Sequence, residues 1–219
     1  ENPHQMASLY DFGQKKLEYE VLNGKELSYN NIVDATAALN IVSEFFDVNA
    51  AVIIKHTNPC GVALGTTLED AWDKALDCDP LSAFGGIVAF TKKVNLKLAE
   101  KLTSMFLEVV IAPSFDEDAL EQLKTKKNLR VIKLNTNLED YKNFQEKEIK
   151  LTPFGALIQE TDRKELDPET FKAVTKEKPT PEMIEDMVFA YKIAKHLKSN
   201  AIVIAKDLKT IGICGGQTS

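Results

Sequence analysis

Cysteine is scarce in this chain: Cys60, Cys78 and Cys214 are widely spaced, odd in number and without a CxxC pair. That excludes a disulfide framework as the organising device and suits reduced thiols. Histidine is equally rare, and His4, His56 and His196 stand far apart in no metal-ligand spacing. No apolar run approaches the roughly 18 residues a membrane-spanning helix requires. No secretory signal opens the sequence. Excess positive charge is missing too. The formal net charge of -6 disfavours a nucleic-acid or anionic-membrane partner, although a local cationic pocket for a small anion can sit on an acidic protein. The expected compartment is cytoplasmic.

What is present is an ordinary globular composition: 219 residues, 44% apolar and 27% charged, enough for a sizeable core without crosslinks. Apolar residues at three- and four-residue spacing (Ile32, Ala35, Leu39, Val42, Phe46) predict an amphipathic helix over 31–46, capped by Asn30 or Asn31. The β-branched run at 50–55 lacks polar alternation, as a strand covered on both faces does. Helical patterns at 68–77, 95–104 and 115–126 then alternate with strand patterns at 85–91, 106–112 and 129–134. Such alternation predicts an α/β layered domain with a mainly parallel sheet. Residues 135–150 read as a polar loop or solvated edge, and 151–159 as a further strand. A charged connector with Pro168, Pro179 and Pro181 leads to a helix over 181–198 and a strand over 201–206.

That last strand echoes an earlier one. NAAVIIKH at 49–56 and NAIVIAKD at 200–207 are identical at five of eight positions, each behind an amphipathic helix. An internal duplication is the expectation, with one α/β unit and the start of a second. Asp207 stands in the second copy where His56 stands in the first, so the strand itself does not demand the histidine.

Lys55-His56 is the candidate for chemistry. Read as structure, Lys55 ends a buried strand by reaching solvent while His56 is half-buried and hydrogen-bonded. Read as function, the pair sits where α/β folds place ligands, before a TNPCG turn offering backbone N–H groups and a glycine. Histidine is the side chain suited to acid–base work near neutral pH. Successive strand side chains point to opposite faces, so both can serve one site only if the strand end bends. Zinc is not expected. Pro59-Cys60 resembles the opening of a deaminase P-C-x-x-C, but residue 63 is Ala and no H-x-E occurs. The Gly85-Gly86 pair reads as a tight turn entering a strand, and His196 as structural, near a helix C-terminus that favours cations. Trp72 and the scattered phenylalanines fit core positions.

ENPHQ, IKHTNPCG, SAFGGIVAF, EVVIAP and KSNAIVIAK occur here in the order found in AICAR transformylases. The whole chain therefore resembles that family, the formyltransferase part of bifunctional purine-biosynthesis proteins that also carry IMP cyclohydrolase. The resemblance implies a duplicated, cytidine-deaminase-like fold without zinc: a first unit at 1–160, a connector at 161–180 and a truncated second unit at 181–219. It implies formyl transfer from the cosubstrate 10-formyltetrahydrofolate to the 5-amino group of AICAR, giving FAICAR, in a homodimer with shared active sites. His56 would be the proton acceptor and Lys55 the transition-state assistant. Gly85, Glu108 and Asn200 would contact substrate; relatives can carry Asp at the Glu108 position.

Two arginines of the family's nucleotide site fall outside this sequence, one in an Arg-Tyr-Gly before ENPHQ and one after the GQxS turn. Most of the second repeat and the cyclohydrolase domain are absent as well. The expectation is a partial formyltransferase, inactive by itself. The alternative is a binding or dimerisation fragment of the same fold.

Overall fold

The computed structural model describes residues 2, 4–144 and 147–218. Glu1 and Pro3 of ENPHQ, Gln145 and Glu146, and Ser219 of the final turn lie outside the described residues. The chain opens with strand β1 (Tyr19–Asn23), helix α1 (Tyr29–Val42) and a 3-10 turn at Ser43–Phe45. Strands β2 (Asn49–Lys55) and β3 (Asn58–Gly65) form a hairpin, followed by helix α2 (Leu68–Cys78). Three strand–helix pairs come next: β4 (Gly86–Phe90) with α3 (Leu96–Thr103), β5 (Leu107–Ala112) with α4 (Glu117–Lys124), and β6 (Arg130–Leu134) with α5 (Leu138–Lys142). A second hairpin, β7 (Lys147–Thr152) and β8 (Gly155–Glu160), precedes helix α6 (Pro181–Ala194). Strands β9 (Ala201–Lys206) and β10 (Lys209–Gly215) close the series.

Among the described residues, eight strands form one sheet in the order β1-β6-β5-β4-β2-β3-β10-β9. Only β4–β5 and β5–β6 pair in parallel; the other neighbours are antiparallel. The sheet is therefore mixed, not mainly parallel as the alternation predicts. The reason is local. Residues 57–61 are not an extended turn but the start of β3, so the chain reverses tightly at His56-Thr57. Pro59 sits beside a bulge, where Ile53 pairs with Gly61 and Ile54 with Pro59. A bulge is one of the few places a strand tolerates proline. Gly61 permits close approach of a helix, not of a ligand: a Cβ there would lie 1.9 Å from Ala75 O in α2.

Alternation along the central strands divides the core. Ile53, Val88, Val110 and Val131 pack under α2, α3 and α4, with Trp72 among them. Val52, Ile54, Ile87, Val109 and Ile132 pack under α1 and α6. Both faces are covered, which is why β2, β4 and β5 read as unbroken apolar runs. The phenylalanines divide: Phe45, Phe90 and Phe189 are core, whereas Phe84, Phe106 and Phe154 are exposed.

Other expectations shift at boundaries. Ser28, not Asn30 or Asn31, caps α1; its Oγ accepts from Asn31 N while the Asn31 side chain accepts from Ser28 N. This is a capping box, with asparagine in the place usually held by Glu or Gln. Residues 135–150 hold α5 and most of β7, and the strand expected at 151–159 is the turn and second arm of the β7–β8 hairpin. Strand β1, unassigned by the sequence reading, pairs antiparallel with β6.

A buried carboxylate ties α6 to the first half of the chain. Glu44, about 4% exposed at its side chain, meets Lys195 Nζ at 2.5 Å, His196 Nε2 at 3.0 Å and Lys142 Nζ at 3.3 Å. Lys192 Nζ adds a bond to Glu44 O at 3.3 Å. Burial alone would raise the Glu44 pKa, but the bonds from His196 and Lys195 and the nearby lysine charges outweigh it and bring it to about 2.

Candidate active site

Strand β2 delivers Lys55 and His56 to one end of the sheet. Lys55 and Asn58 face each other across the hairpin, and the two residues between them both lie in the left-handed region, His56 at φ 51° and Thr57 at φ 65°. Two-residue hairpins favour this backbone but normally fill it with Asn and Gly. A β-branched residue there is strained, by roughly 1–2 kcal/mol. Three bonds hold the turn. Thr57 N donates to Asp34 Oδ1 on α1 at 2.7 Å, Thr57 Oγ1 to His56 O at 2.6 Å, and Asn58 Nδ2 to His56 O at 2.9 Å. Extended geometry thus stops at Lys55, and the alternation rule no longer assigns His56 to the opposite face.

His56 is exposed, whereas Lys55 is half-buried and donates its ammonium to Phe84 O. An ammonium has three donors, so one anchors the lysine to the β4 entry turn and two stay available for a ligand. Gly85 belongs to that turn. Its N donates to Phe106 O at 2.8 Å, its φ is +73°, and a Cβ on it would lie 3.9 Å from Lys55 Nζ and 3.3 Å from the Phe106 ring. The left-handed φ and the close Phe106 ring, rather than the lysine, are what favour glycine here.

Glu108 and Asn200 reach the same sheet end on other strands. Lys55 follows Ile54, the partner of Ile87, and Gly86 pairs with Leu107, so β5 begins at that end and Glu108 is its second residue. Its Oε2 receives Arg130 Nη1 at 2.7 Å, and Arg130 Nε holds Glu26 O at 3.1 Å. Asn200 immediately precedes β9, whose first residue pairs with Gly215 at the end of β10. A Cβ on Gly215 would come 3.5 Å from Asn58 Oδ1, beside the His56-Thr57 turn. Asn200 itself exchanges bonds with Gln217, its Nδ2 donating to Gln217 O at 3.2 Å and its carbonyl accepting from Gln217 N at 3.2 Å. The structure thus joins Lys55 and Gly85 directly, while Glu108 and Asn200 share the sheet end and bond to their own neighbours.

Three features of this end escape a reading by sequence. Phe84 and Phe106 are 58% and 48% exposed with ring centroids 5.4 Å apart, forming an apolar wall over Gly85. Asp34 looks like any polar position of an amphipathic helix; only the three-dimensional turn reveals its bond. Arg130 is masked by the apolar strand that follows it. The thiol nearest the pair, Cys60, lies in the core, where burial and the Asp79 charge push it up to about 11, so it is poorly suited to act as a thiolate ligand. Among the described residues, no group of three or more His, Cys, Asp or Glu side chains is placed to hold a metal ion. An apolar cavity of about 420 Å³, lined by Leu27, Ile32, Leu39, Ile111 and Ile132, lies against α1 and contains none of the five candidate residues.

The arrangement offers a cation, an exposed imidazole, a glycine-bearing turn and an aromatic wall at one end of the sheet. Comparison with known proteins gives the chain's family. The family described as AICARFT/IMPCHase bienzyme matches residues 1–219. A "Bifunctional purine biosynthesis protein PurH" from Caldicellulosiruptor saccharolyticus is 51% identical over 225 residues, covering all of this chain and 43% of that protein. Proteins of the same name from Thermoanaerobacter sp. (strain X514) and Clostridium botulinum (strain Loch Maree / Type A3) are each 50% identical over 222 residues, again across the whole chain and 42% and 43% of their own length. The chain spans less than half the length of these relatives. With every residue inside the matched span, this chain belongs to the AICARFT/IMPCHase bienzyme family.

Proposed function

We propose that this chain carries the Lys–His portion of a formyltransferase site, which moves the formyl group of 10-formyltetrahydrofolate to the 5-amino group of AICAR. The observation that carries the reading is Lys55-His56 at a bent strand end, with Gly85 against the lysine, inside a chain that matches the family throughout. AICAR's amine is conjugated with its ring and carboxamide and is a poor nucleophile. Its nitrogen attacks the formyl carbon, forming the new C–N bond and an oxyanion, while neutral His56 takes the amine proton. The Lys55 ammonium faces the developing oxyanion, the kind of fixed charge that favours a transition state. Collapse then breaks the bond from the formyl carbon to folate nitrogen, which leaves with a proton from Lys55 or from His56. The products are FAICAR and tetrahydrofolate.

Gly85, Glu108 and Asn200 are proposed as substrate contacts, with Glu108 oriented by Arg130. In fold, the chain is read as cytidine-deaminase-like and duplicated. The support is a repeated construction: α1 leads to the β2–β3 hairpin as α6 leads to β9–β10, and both turns carry two left-handed residues, His56-Thr57 and Asp207-Leu208. The complete protein is proposed to be a cytoplasmic homodimer with shared sites and with IMP cyclohydrolase on a further domain. No helix among the described residues is long and apolar enough to cross a membrane.

The test is formyl transfer by the full reading frame with and without His56→Ala. Loss of a general base should lower turnover by about 10²–10⁴-fold with the fold intact; near-normal turnover sinks the assignment. The 219-residue chain assayed by itself should show little or no transfer.

A further inference from the structure

The left-handed turn that carries His56 is held from outside the hairpin. Thr57 N points to α1 and donates to Asp34 Oδ1 at 2.7 Å. The same device occurs at the other hairpin. Asp186 on α6 accepts from Asp207 N at 3.1 Å and from Leu208 N at 2.8 Å. Each preceding helix thus lends one carboxylate to the backbone of a strained turn. The two turns lie at opposite ends of the sheet. Lys209 pairs with Ala63 and Leu64 N donates to Leu208 O, which puts Asp207-Leu208 at the end away from Lys55.

We infer that Asp34 is a positioning residue for His56: its carboxylate pins the Thr57 amide, and with it the backbone conformation from which the imidazole projects. The inference rests on the formyl-transfer reading and deepens it. Three observations converge. Thr57 is β-branched at φ 65°, a conformation that persists only where its surroundings impose it. The hairpin's own bonds to His56 O, from Thr57 Oγ1 and Asn58 Nδ2, restrain the carbonyl and leave the Thr57 amide to Asp34. Asp34 comes from a helix whose apolar face is buried with Val52 and Ile54 of β2, so its anchor is fixed to the core. An Asp34→Ala chain loses that restraint, and His56 samples orientations unproductive for proton removal. Substrate binding through other residues is largely kept, so the loss falls on kcat more than on KM.

The experiment compares Asp34→Ala, Asp34→Asn, Asp186→Ala and His56→Ala in the full-length protein by steady-state formyl transfer and thermal unfolding. Asp34→Ala should lower kcat at least tenfold with the AICAR KM within about threefold. Asp34→Asn, whose amide oxygen can accept the same bond, should recover most of kcat. Asp186→Ala should unfold at a similar temperature to Asp34→Ala yet keep near-normal kcat, because its turn carries no histidine and lies at the far sheet end. Should Asp34→Ala unfold, a Thr57→Gly background, in which the left-handed turn is intrinsically tolerated, takes its place: there the Asp34 substitution should cost less kcat than in the parent. Wild-type kcat in Asp34→Ala, no recovery with Asn, equal kcat losses in Asp34→Ala and Asp186→Ala, or an undiminished cost in the glycine background would each overturn the inference. If His56→Ala is fully active, the base reading falls and the inference with it. An inactive His56→Ala beside a fully active Asp34→Ala removes the inference alone.

Discussion

Replacing Glu44 by glutamine should destabilise the chain at neutral pH and become harmless in acid. The carboxylate is buried among Lys195, His196 and Lys142, and its pKa falls from 4.5 to about 2. The sign follows from which state binds the proton more weakly. The folded chain holds Glu44 ionised to lower pH than the unfolded chain does, so its stabilisation is complete above 4.5 and is lost as pH falls through about 2. A depression of that size corresponds to roughly 3 kcal/mol. Removing the charge also leaves Lys195, about 6% exposed, without its counter-ion, and breaking a buried pair costs about 3–5 kcal/mol. Both routes predict that Glu44→Gln loses roughly 3 kcal/mol at pH 7. Glutamine resembles the protonated acid, so the gap to the parent should close between pH 4.5 and about 2. Urea denaturation followed by Trp72, the sole tryptophan and about 2% exposed, provides the readout. Taking the difference between variant and parent at each pH cancels the other carboxylates. A gap below about 1 kcal/mol at pH 7, or one that stays constant into acid, would refute the reasoning.

Lys55→Met should abolish most turnover while AICAR binding is partly retained, because the Gly85 turn keeps its bond to Phe106 O; unchanged turnover in the full-length protein would remove the lysine from the mechanism. Gly61→Ala should lower the melting temperature sharply, since its Cβ would lie 1.9 Å from Ala75 O and α2 would have to shift. Overpacking of this kind costs about 1–3 kcal/mol or more, and an unchanged melting temperature would mean that α2 is not held against β3 as described.

Much of the layered architecture is legible in the residues. The helical periodicity that buries Ala35, Leu39 and Val42, and the unbroken β2, β4 and β5, come from the same cause: a sheet with both faces covered. What misleads is punctuation. Asn58, Pro59 and Gly61 are turn formers by type, yet they stand in a strand whose bulge accommodates the proline and whose glycine admits a helix. The true turn is His56-Thr57, two residues that local preference does not place in the left-handed region. Missing that reversal gives the wrong direction for β4 relative to β2, and hence a parallel sheet. β1 and β7 escape for another reason. Tyr19 and Val21 of β1 stay partly exposed at the sheet edge, and Ile149 and Leu151 of β7 are 69% and 83% exposed between charged neighbours, so neither strand presents the apolar signature of burial. Gly85, Glu108 and Asn200 are named as candidate site residues by a resemblance alone, and the geometry of the candidate site is not legible in the sequence. That Lys55 meets Gly85 follows from the register of β2 on β4, and Asp34 becomes visible only once α1 is laid across the turn.

The join between β3 and β10 is narrow. Lys209 pairs with Ala63, Leu64 N reaches Leu208 O, and the buried Thr210 Oγ1 both accepts from Val62 N at 2.9 Å and donates to Val62 O at 3.1 Å. Asn200 stands on one side of this seam and Lys55 on the other. The hydroxyl of Thr210 therefore acts as a gauge pin: it sets the distance between Asn200 and Lys55. A slip of two residues would carry Asn200 about 7 Å along the strand axis, so the spacing of the two residues is written in the register of one short join.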